Sequence, residues 1–314
     1  MISLIILERT IPKKIAYYEV MTRRSFDSTK YEELYNKANA GYIGESLLDR
    51  EWQDINPDGL LFHDFTFFND ATHTHQIDTI YVCKHFVLVI EVKHIAGEIK
   101  INPKTYQCML YPKEGEPEPI ENPIEQVKRH RDIVKNYFNK MSIHVPIEAA
   151  VIMTNSSCRF ESLDSEIPMF VVKGLRSKLA ELTRRYQNVN LNIPQIKTSL
   201  EKLYCAHTKE LWRSNEKPRT GVLCLNCKQK MYPTNNGFKC FHCKICDKEH
   251  LAVRRTLYDF KILYGPEITN NQFRDFAEIK SRYTAVGILN RHLPKKHLAG
   301  RGSKYYIPND IYIP

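Results

Sequence analysis

The sequence predicts an α/β fold, a mixed sheet flanked by helices, with smaller modules following it. Two runs rich in β-branched and aromatic residues, 76–83 and 86–93, flank the polar pair Lys84-His85 and contain no Gly or Pro, the pattern of a β-hairpin. Nearly continuous apolar runs at 147–153 and 169–172 read as strands covered on both faces, with helical segments between and after the strands. Cys224-x₂-Cys227 and Cys240-x₂-Cys243, twelve residues apart, form a pair of metal knuckles characteristic of a zinc ribbon.

Residues 1–40 read as an N-terminal helical extension: a short strand, then helices over 13–24 and 30–40, the second entered through Asp27, Ser28 or Thr29 as N-cap. From Gly41 a further amphipathic helix carries Ile43, Leu47, Leu48 and Trp52 at helical spacing and places Glu45 early on it. A lone helical Glu is ordinarily solvated. Residues 61–68, with Phe62, Phe65, Phe67 and Phe68, form a strand ahead of the hairpin. His73 and His75 make an H-x-H pair able to bind a metal, but without a third nitrogen or sulfur ligand they read as loop histidines.

The hairpin carries the chemistry. With Lys84-His85 at its tip, opposed residue numbers add to 169, so Asp78 faces Glu91 and Gln76 faces Lys93 on one face. Opposed carboxylates repel, and a divalent cation such as Mg²⁺ between them removes the repulsion. Lys93 then stands near any anion such a cation holds, which is equipment for phosphodiester hydrolysis. The hairpin alone is also compatible with an exposed polar face. Lys84-His85 lacks the Gly or Asn of a tight turn; a four-residue loop preserves the pairing and an odd-length loop breaks it.

Gly97 is a candidate bulge opening strand-like residues that run to Tyr111, and 112–119 reads as an exposed loop. Asn122-Pro123 starts a helix reaching about Phe138, with Ile124, Val127, Val134 and Phe138 as its buried stripe. Gln126, Arg129 and His130 share another face, turned to a phosphate or to solvent. Residues 175–216 form a helical connector.

Within a zinc-ribbon module over 217–253, the segment from Gly221 to Leu251 is too short to build a core of its own, so binding of Zn²⁺ by the four thiolates of Cys224, Cys227, Cys240 and Cys243 is expected to supply much of its folding energy. Cys246 continues the spacing and is a possible substitute ligand; His242 and His250 add ambiguity, and unligated thiols are the alternative. Residues 254–314 resemble a winged helix-turn-helix. Thr269 and Gln272 start one helix, a second over 282–292 turns Tyr283, Val286, Leu289 and Leu293 inward, and 300–307 forms a basic wing. Arg282, Arg291, Arg301 and Lys304 are the candidate phosphate or groove contacts, although most helix pairs do not bind DNA.

Charge supports a polyanionic partner. Of the formal net charge of +10, residues 217–304 hold +12, from 18 Lys or Arg against 6 Asp or Glu, and the remainder is near −2. The apolar start of the chain is too short for a signal peptide, and no stretch of about 18 apolar residues occurs, so a soluble, cytoplasmic protein without membrane association is expected. The 9 cysteines then read as metal ligands and buried thiols rather than disulfides.

Taken together, Gly41-x-x-Gly44-Glu45, Gln76-Ile77-Asp78, Glu91-Val92-Lys93 with Gly97, and Asn122-Pro123-x-x-Gln126 resemble the NERD (nuclease-related) domain, a branch of the PD-(D/E)xK nuclease superfamily. The similarity spans roughly residues 12–140, and no core motif residue is replaced. It implies a restriction-endonuclease-like core over 41–174. In that core Asp78, Glu91 and the backbone carbonyl of Val92 hold catalytic Mg²⁺ or Mn²⁺, Lys93 orients or deprotonates the attacking water, Glu45 supports the metal and Gln126 positions water or phosphate. Arg129, from the same helix as Gln126, joins the candidate nucleic-acid contacts. The expected function is a metal-dependent nuclease acting on DNA. The competing class is a non-catalytic DNA- or RNA-binding or regulatory protein that keeps the fold as scaffold, and RNA processing is a third.

Overall fold

The apolar runs at 87–93 and 147–153 lie side by side as parallel strands, buried on both faces as their composition requires. The computed structural model describes residues 4–68, 74–161, 166–205, 213–294 and 304–312. In chain order its elements are β1 (Leu4–Leu7), α1 (Lys13–Arg24), α2 (Ser28–Ile55), β2 (Leu60–Phe68), β3 (Thr74–Val82), β4 (Val87–Lys93), β5 (Gly97–Ile101), β6 (Cys108–Tyr111), β7 (Glu118–Ile120), α3 (Pro123–Lys140), β8 (Ile147–Met153), β9 (Cys158–Phe160), β10 (Met169–Val171), α4 (Leu175–Arg185), α5 (Ile193–Leu203), β11 (Met231–Thr234), β12 (Gly237–Cys240), β13 (Cys246–Lys248), α6 (Glu249–Tyr264), β14 (Glu267–Thr269), α7 (Asn270–Ala277), α8 (Arg282–His292) and β15 (Lys304–Tyr306). They fall into two compact units, Met1–Ile11 with Asn39–Glu210, and Pro12–Ala38 with Leu211–Pro314.

The first unit is built on a six-stranded sheet in the order β1-β2-β3-β4-β8-β10. The pairs β1/β2, β4/β8 and β8/β10 are parallel, whereas β2, β3 and β4 form an antiparallel meander, so the sheet is mixed as predicted. Leu48 and Trp52 of α2 share one buried cluster with Leu88 and Ile90 of β4 and with Leu175, Leu179 and Leu182 of α4. Val127, Val134 and Phe138 of α3 and Ile196 and Leu200 of α5 share the other with Val87 and Val89. The alternation of β4 thus feeds two helix layers. The helices at 175–203 lend apolar stripes to these layers instead of merely connecting. A second sheet, β7-β6-β5-β9, includes the end of the stretch expected to be a loop, because Glu118–Ile120 pairs with β6.

One helix replaces two expected ones. The segments at 30–40 and beyond Gly41 are a single 28-residue helix, and Glu45 stands past its middle, not near its start. A helix tolerates Gly at about 1 kcal/mol, and Gly44 has a packing reason: a Cβ there would lie 2.5 Å from Cβ of His94 and 2.8 Å from Oγ1 of Thr154. The helix can approach the C-terminal ends of β4 and β8 only without a side chain at that position.

In the second unit, α1 packs against the C-terminal part of the chain. Tyr17 and Met21 share a core with Met231, Phe238, Leu257, Phe273 and Leu289. Inside it Asp259 of α6 accepts from Arg23 at 2.7 Å and from Arg24 at 2.6 Å, all three being buried. Residues on both sides of position 253, Cys224, Met231 and Phe238 before it and Leu257, Phe273 and Leu289 after it, belong to this one core. Short segments gain burial by pooling apolar surface.

Candidate active site

The hairpin holds its register from Val82↔Val87 to Thr79↔Ile90, and each of these pairs adds to 169. Four residues, 83–86, join the strands, with the Cys83 N–H donating to the Phe86 carbonyl at 3.1 Å. Past Thr79 the strands part. Bonded pairs alternate along an antiparallel ladder, which makes Ile77 and Val92 the next pair due to exchange main-chain bonds. Instead the Val92 N–H donates to Oδ2 of Asp78 at 2.6 Å. The expected opposition of Gln76 and Lys93 does not form: Gln76 pairs with Thr66 of β2, while Lys93 lies beside Met153 of β8. Each strand follows its own outer neighbour, and the side-chain bond of Asp78 bridges the fork.

Glu91 is the only charged residue of β4 besides the terminal Lys93, and it is 3% exposed. Its Oε1 accepts from Nζ of Lys93 at 2.7 Å, and Nζ also donates to Oε1 of Gln126 at 2.9 Å. Its Oε2 is buried without a hydrogen-bond partner, as is Nδ1 of His130, 3.9 Å away. Burial, and then the neighbouring Asp78 carboxylate, push Glu91 up to about 8; burial likewise raises Asp78. Two carboxyls share a poorly solvated site with one ammonium.

Helix α3 delivers Gln126 through a well-formed start. Asn122 caps it by accepting from the N–H groups of Ile124 and Glu125, and Pro123 takes the first turn. The face expected to carry Gln126, Arg129 and His130 together is split. His130 belongs to the buried stripe, spaced three from Val127 and four from Val134, and burial lowers its pKa to about 4. Arg129 points outward and pairs with Glu121 at 2.9 Å.

Arg9, which the sequence did not single out, organises the acids on the other side. Its side chain is 4% exposed. Nη1 donates to Glu45 and to Asp64, each at 2.6 Å, Nε donates to Asp49 at 2.8 Å, and Nη2 donates to the backbone carbonyl of Asp78 at 3.0 Å. Glu45 therefore reaches Asp78 through a guanidinium. A legible signal existed: Glu45 and Asp49 stand four apart on α2, two acids on one face that call for a cation.

Residues 40–154 match the family model of the nuclease-related domain, NERD. This stretch is a nuclease-related domain. No curated protein and no solved structure matches the chain. The NERD domain contains Glu45, Asp78, Glu91, Lys93, Gln126 and His130, whereas Arg9 reaches it from β1's far end.

Outside the NERD domain, the sulfurs of Cys224, Cys227, Cys240 and Cys243 all lie within 4.8 Å of one another, with Cys224 to Cys243 at 3.5 Å and Cys227 to Cys240 at 3.3 Å. Tetrahedral thiolates about 2.3 Å from zinc stand about 3.8 Å apart, so the cluster is consistent with a zinc ribbon. Both knuckles close in the same way: the residue after the second cysteine, Lys228 or Lys244, has φ of 58° or 64°. Cys246 is exposed on β13 and is not part of the cluster.

Of the expected nucleic-acid contacts in the C-terminal part, Arg291 pairs with Glu249 at 2.8 Å and Lys304 with Glu267 at 3.0 Å. Arg282 is exposed. Arg301 lies outside the described residues, as does His73, whereas His75 stacks on Phe67 with ring centroids 5.5 Å apart. Helix α8 turns Ala285, Ile288 and Leu289 inward. Tyr283, expected to be buried, is 89% exposed, because the inward stripe runs through 285, 288 and 289. Among the described residues no helix is long and apolar enough to cross a membrane.

Proposed function

We propose that the NERD domain is a metal-dependent nuclease that hydrolyses the phosphodiesters of DNA using Mg²⁺ or Mn²⁺. The observation that carries this reading is the buried, unpartnered Oε2 of Glu91 beside the carboxyl of Asp78. Enclosing such a pair without a sufficient counter-charge is costly, and a hard divalent cation with oxygen ligands fits the need. Asp78, Glu91 and the backbone carbonyl of Val92 would hold it. When bound, the cation supplies Lewis-acid charge to a phosphoryl oxygen and lowers the pKa of water.

The chain's own groups do the rest. Lys93, tied to Glu91 and Gln126, keeps its ammonium at a set place, where it offsets negative charge building on the phosphoryl oxygens and orients the attacking water. Gln126 uses its carbonyl on Lys93, which leaves its amide NH₂ to donate to water or phosphate. The Val92 N–H fixes the rotation of the Asp78 carboxylate, and Arg9 carries the influence of Glu45 to the Asp78 backbone.

The second unit would bring the polyanion. Its Cys₄ cluster is a closed structural Zn²⁺ site. Helices α7 and α8 with the β14/β15 pair act as a winged-helix-like module, in which Arg282, Arg301, and Arg291 and Lys304 once exchanged from their carboxylates, contact phosphates. Arg129 would add a contact from α3. The free thiols suit a reducing compartment such as the cytoplasm.

The test is purified chain with Mg²⁺ or Mn²⁺ on labelled duplex, single-stranded and branched DNA and on RNA, alongside Asp78→Ala and Lys93→Ala. Wild type cleaves DNA; Asp78→Ala loses both cleavage and the cation-induced rise in melting temperature. Lys93→Ala loses cleavage while still folding. Cleavage that survives in Asp78→Ala refutes the site, and a wild type that neither cleaves nor responds to either cation points to the scaffold class.

A further inference from the structure

The second unit contains an open groove of about 540 Å³ that the catalytic proposal does not use. Its lining combines exposed aromatic rings with cations. Phe26 is 85% exposed, Phe241 58% and Tyr232 51%, and the rings of Tyr232 and Phe241 lie 5.3 Å apart, inclined by 48°. Lys217, Arg219 and Lys230 line the same groove, and none of the lining residues is acidic. Lys230 is matched by Glu278 just outside, whereas neither Lys217 nor Arg219 has an acidic partner among the described residues. The Arg219 guanidinium sits 5.7 Å from the Phe26 ring centroid.

The walls are held from behind. The Arg219 N–H donates to the carbonyl of Arg24 at 2.6 Å, and the buried Arg24 guanidinium donates to the carbonyls of Arg219 at 2.8 Å and Gly221 at 3.1 Å. Phe241 lies between Cys240 and Cys243 of the thiol cluster, and Tyr232 is on β11 opposite Lys239 of β12. The aromatic rings therefore do not depend on a ligand to be presented. They cost little conformational entropy when something stacks on them.

We propose that this groove binds single-stranded nucleic acid, with bases stacked on Phe26, Tyr232 and Phe241 and phosphates against Lys217 and Arg219. Flat apolar rings interleaved with uncompensated cations match a chain of alternating π-faces and anions. A duplex buries its base faces and would meet only the cations. The grip is distinct from the winged-helix-like contacts and does not require that the Asp78 site cleave.

The experiment uses the full-length, zinc-loaded chain carrying Asp78→Ala, so that substrate is not consumed, and reads fluorescence anisotropy of a labelled oligothymidylate and of a hairpin duplex. Phe26→Ala and Tyr232→Ala should each weaken single-strand binding about 5- to 150-fold, the loss of one stacked base, and leave duplex binding unchanged. Lys217→Glu should weaken binding and flatten its salt dependence. Phe26 lies outside the thiol knuckles, so its variant tests stacking with the zinc content verified as unchanged. Unaltered single-strand affinity in both aromatic variants overturns the proposal. So does an equal loss for duplex, and so does displacement of the oligonucleotide by polyglutamate at equal charge, which would assign the groove to acidic peptides.

Discussion

Replacing Glu91 with Gln should stabilise the cation-free protein at neutral pH and abolish its response to divalent cations. Burial and Asp78 raise the Glu91 carboxyl from the ordinary 4.5 to about 8. A carboxyl raised on folding binds its proton more tightly in the native state, so its ionisation opposes folding. The contribution of this group to stability is greatest below pH 4.5 and falls as pH rises towards 8. At about 1.36 kcal/mol per pH unit, the fall between pH 5 and pH 7 is roughly 2–3 kcal/mol. Gln cannot ionise, keeps an oxygen for Nζ of Lys93, and brings an amide N–H towards the unpartnered Nδ1 of His130. The assay is urea denaturation at pH 5, 6, 7 and 8, followed by the fluorescence of buried Trp52 in a Trp212→Phe background, with zinc loaded and with or without Mn²⁺. Buried His130 and His63, held at about 4, add the opposite slope to both proteins below pH 6.5, so the readout is the difference: wild type should lose stability relative to Glu91→Gln over that range and regain it with Mn²⁺ above pH 6, whereas Glu91→Gln should not respond to Mn²⁺. A variant with the wild-type pH slope, or one that Mn²⁺ stabilises as much as wild type, would refute the account of a carboxyl pair awaiting a cation.

Arg9→Met leaves Glu45, Asp49 and Asp64 without their shared cation and should cost about 3–5 kcal/mol in denaturant titration, whereas Arg9→Lys recovers only part because it lacks the fork. Gly44→Ala should destabilise by about 1–3 kcal/mol through its clash with His94. Gly41→Ala, with nothing within 4 Å, should stabilise by about 0.5–1 kcal/mol, and the opposite signs are read from paired thermal melts. Metal analysis should find one zinc per chain in wild type and in Cys246→Ser but none in Cys240→Ser. The loss should also lower the melting temperature of the second unit, whose core includes Cys224, Met231, Phe238 and Cys240.

The hairpin register, the start of α3 at Asn122-Pro123, the capping box at Thr269 and Gln272, and the spacing of the four cysteines were legible in the sequence. Each is a local rule: a period of two, a cap within one turn, or a knuckle of four residues. The first of them brings Asp78 and Glu91 to the same end of the hairpin, one position past the last paired residues, Thr79 and Ile90. Tertiary structure decided what those rules leave open. Arg9 meets Asp78 across 69 positions and Lys93 meets Gln126 across 33, contacts that no periodicity encodes. The need for glycine at position 44 inside one continuous helix comes from His94 and Thr154, and whether Gln76 follows Lys93 or Thr66 depended on which outer strand each pairs with. Local sequence set the chemical groups and their order along the chain; long-range packing chose the partners, because burial and charge compensation are settled only when distant segments exclude water together.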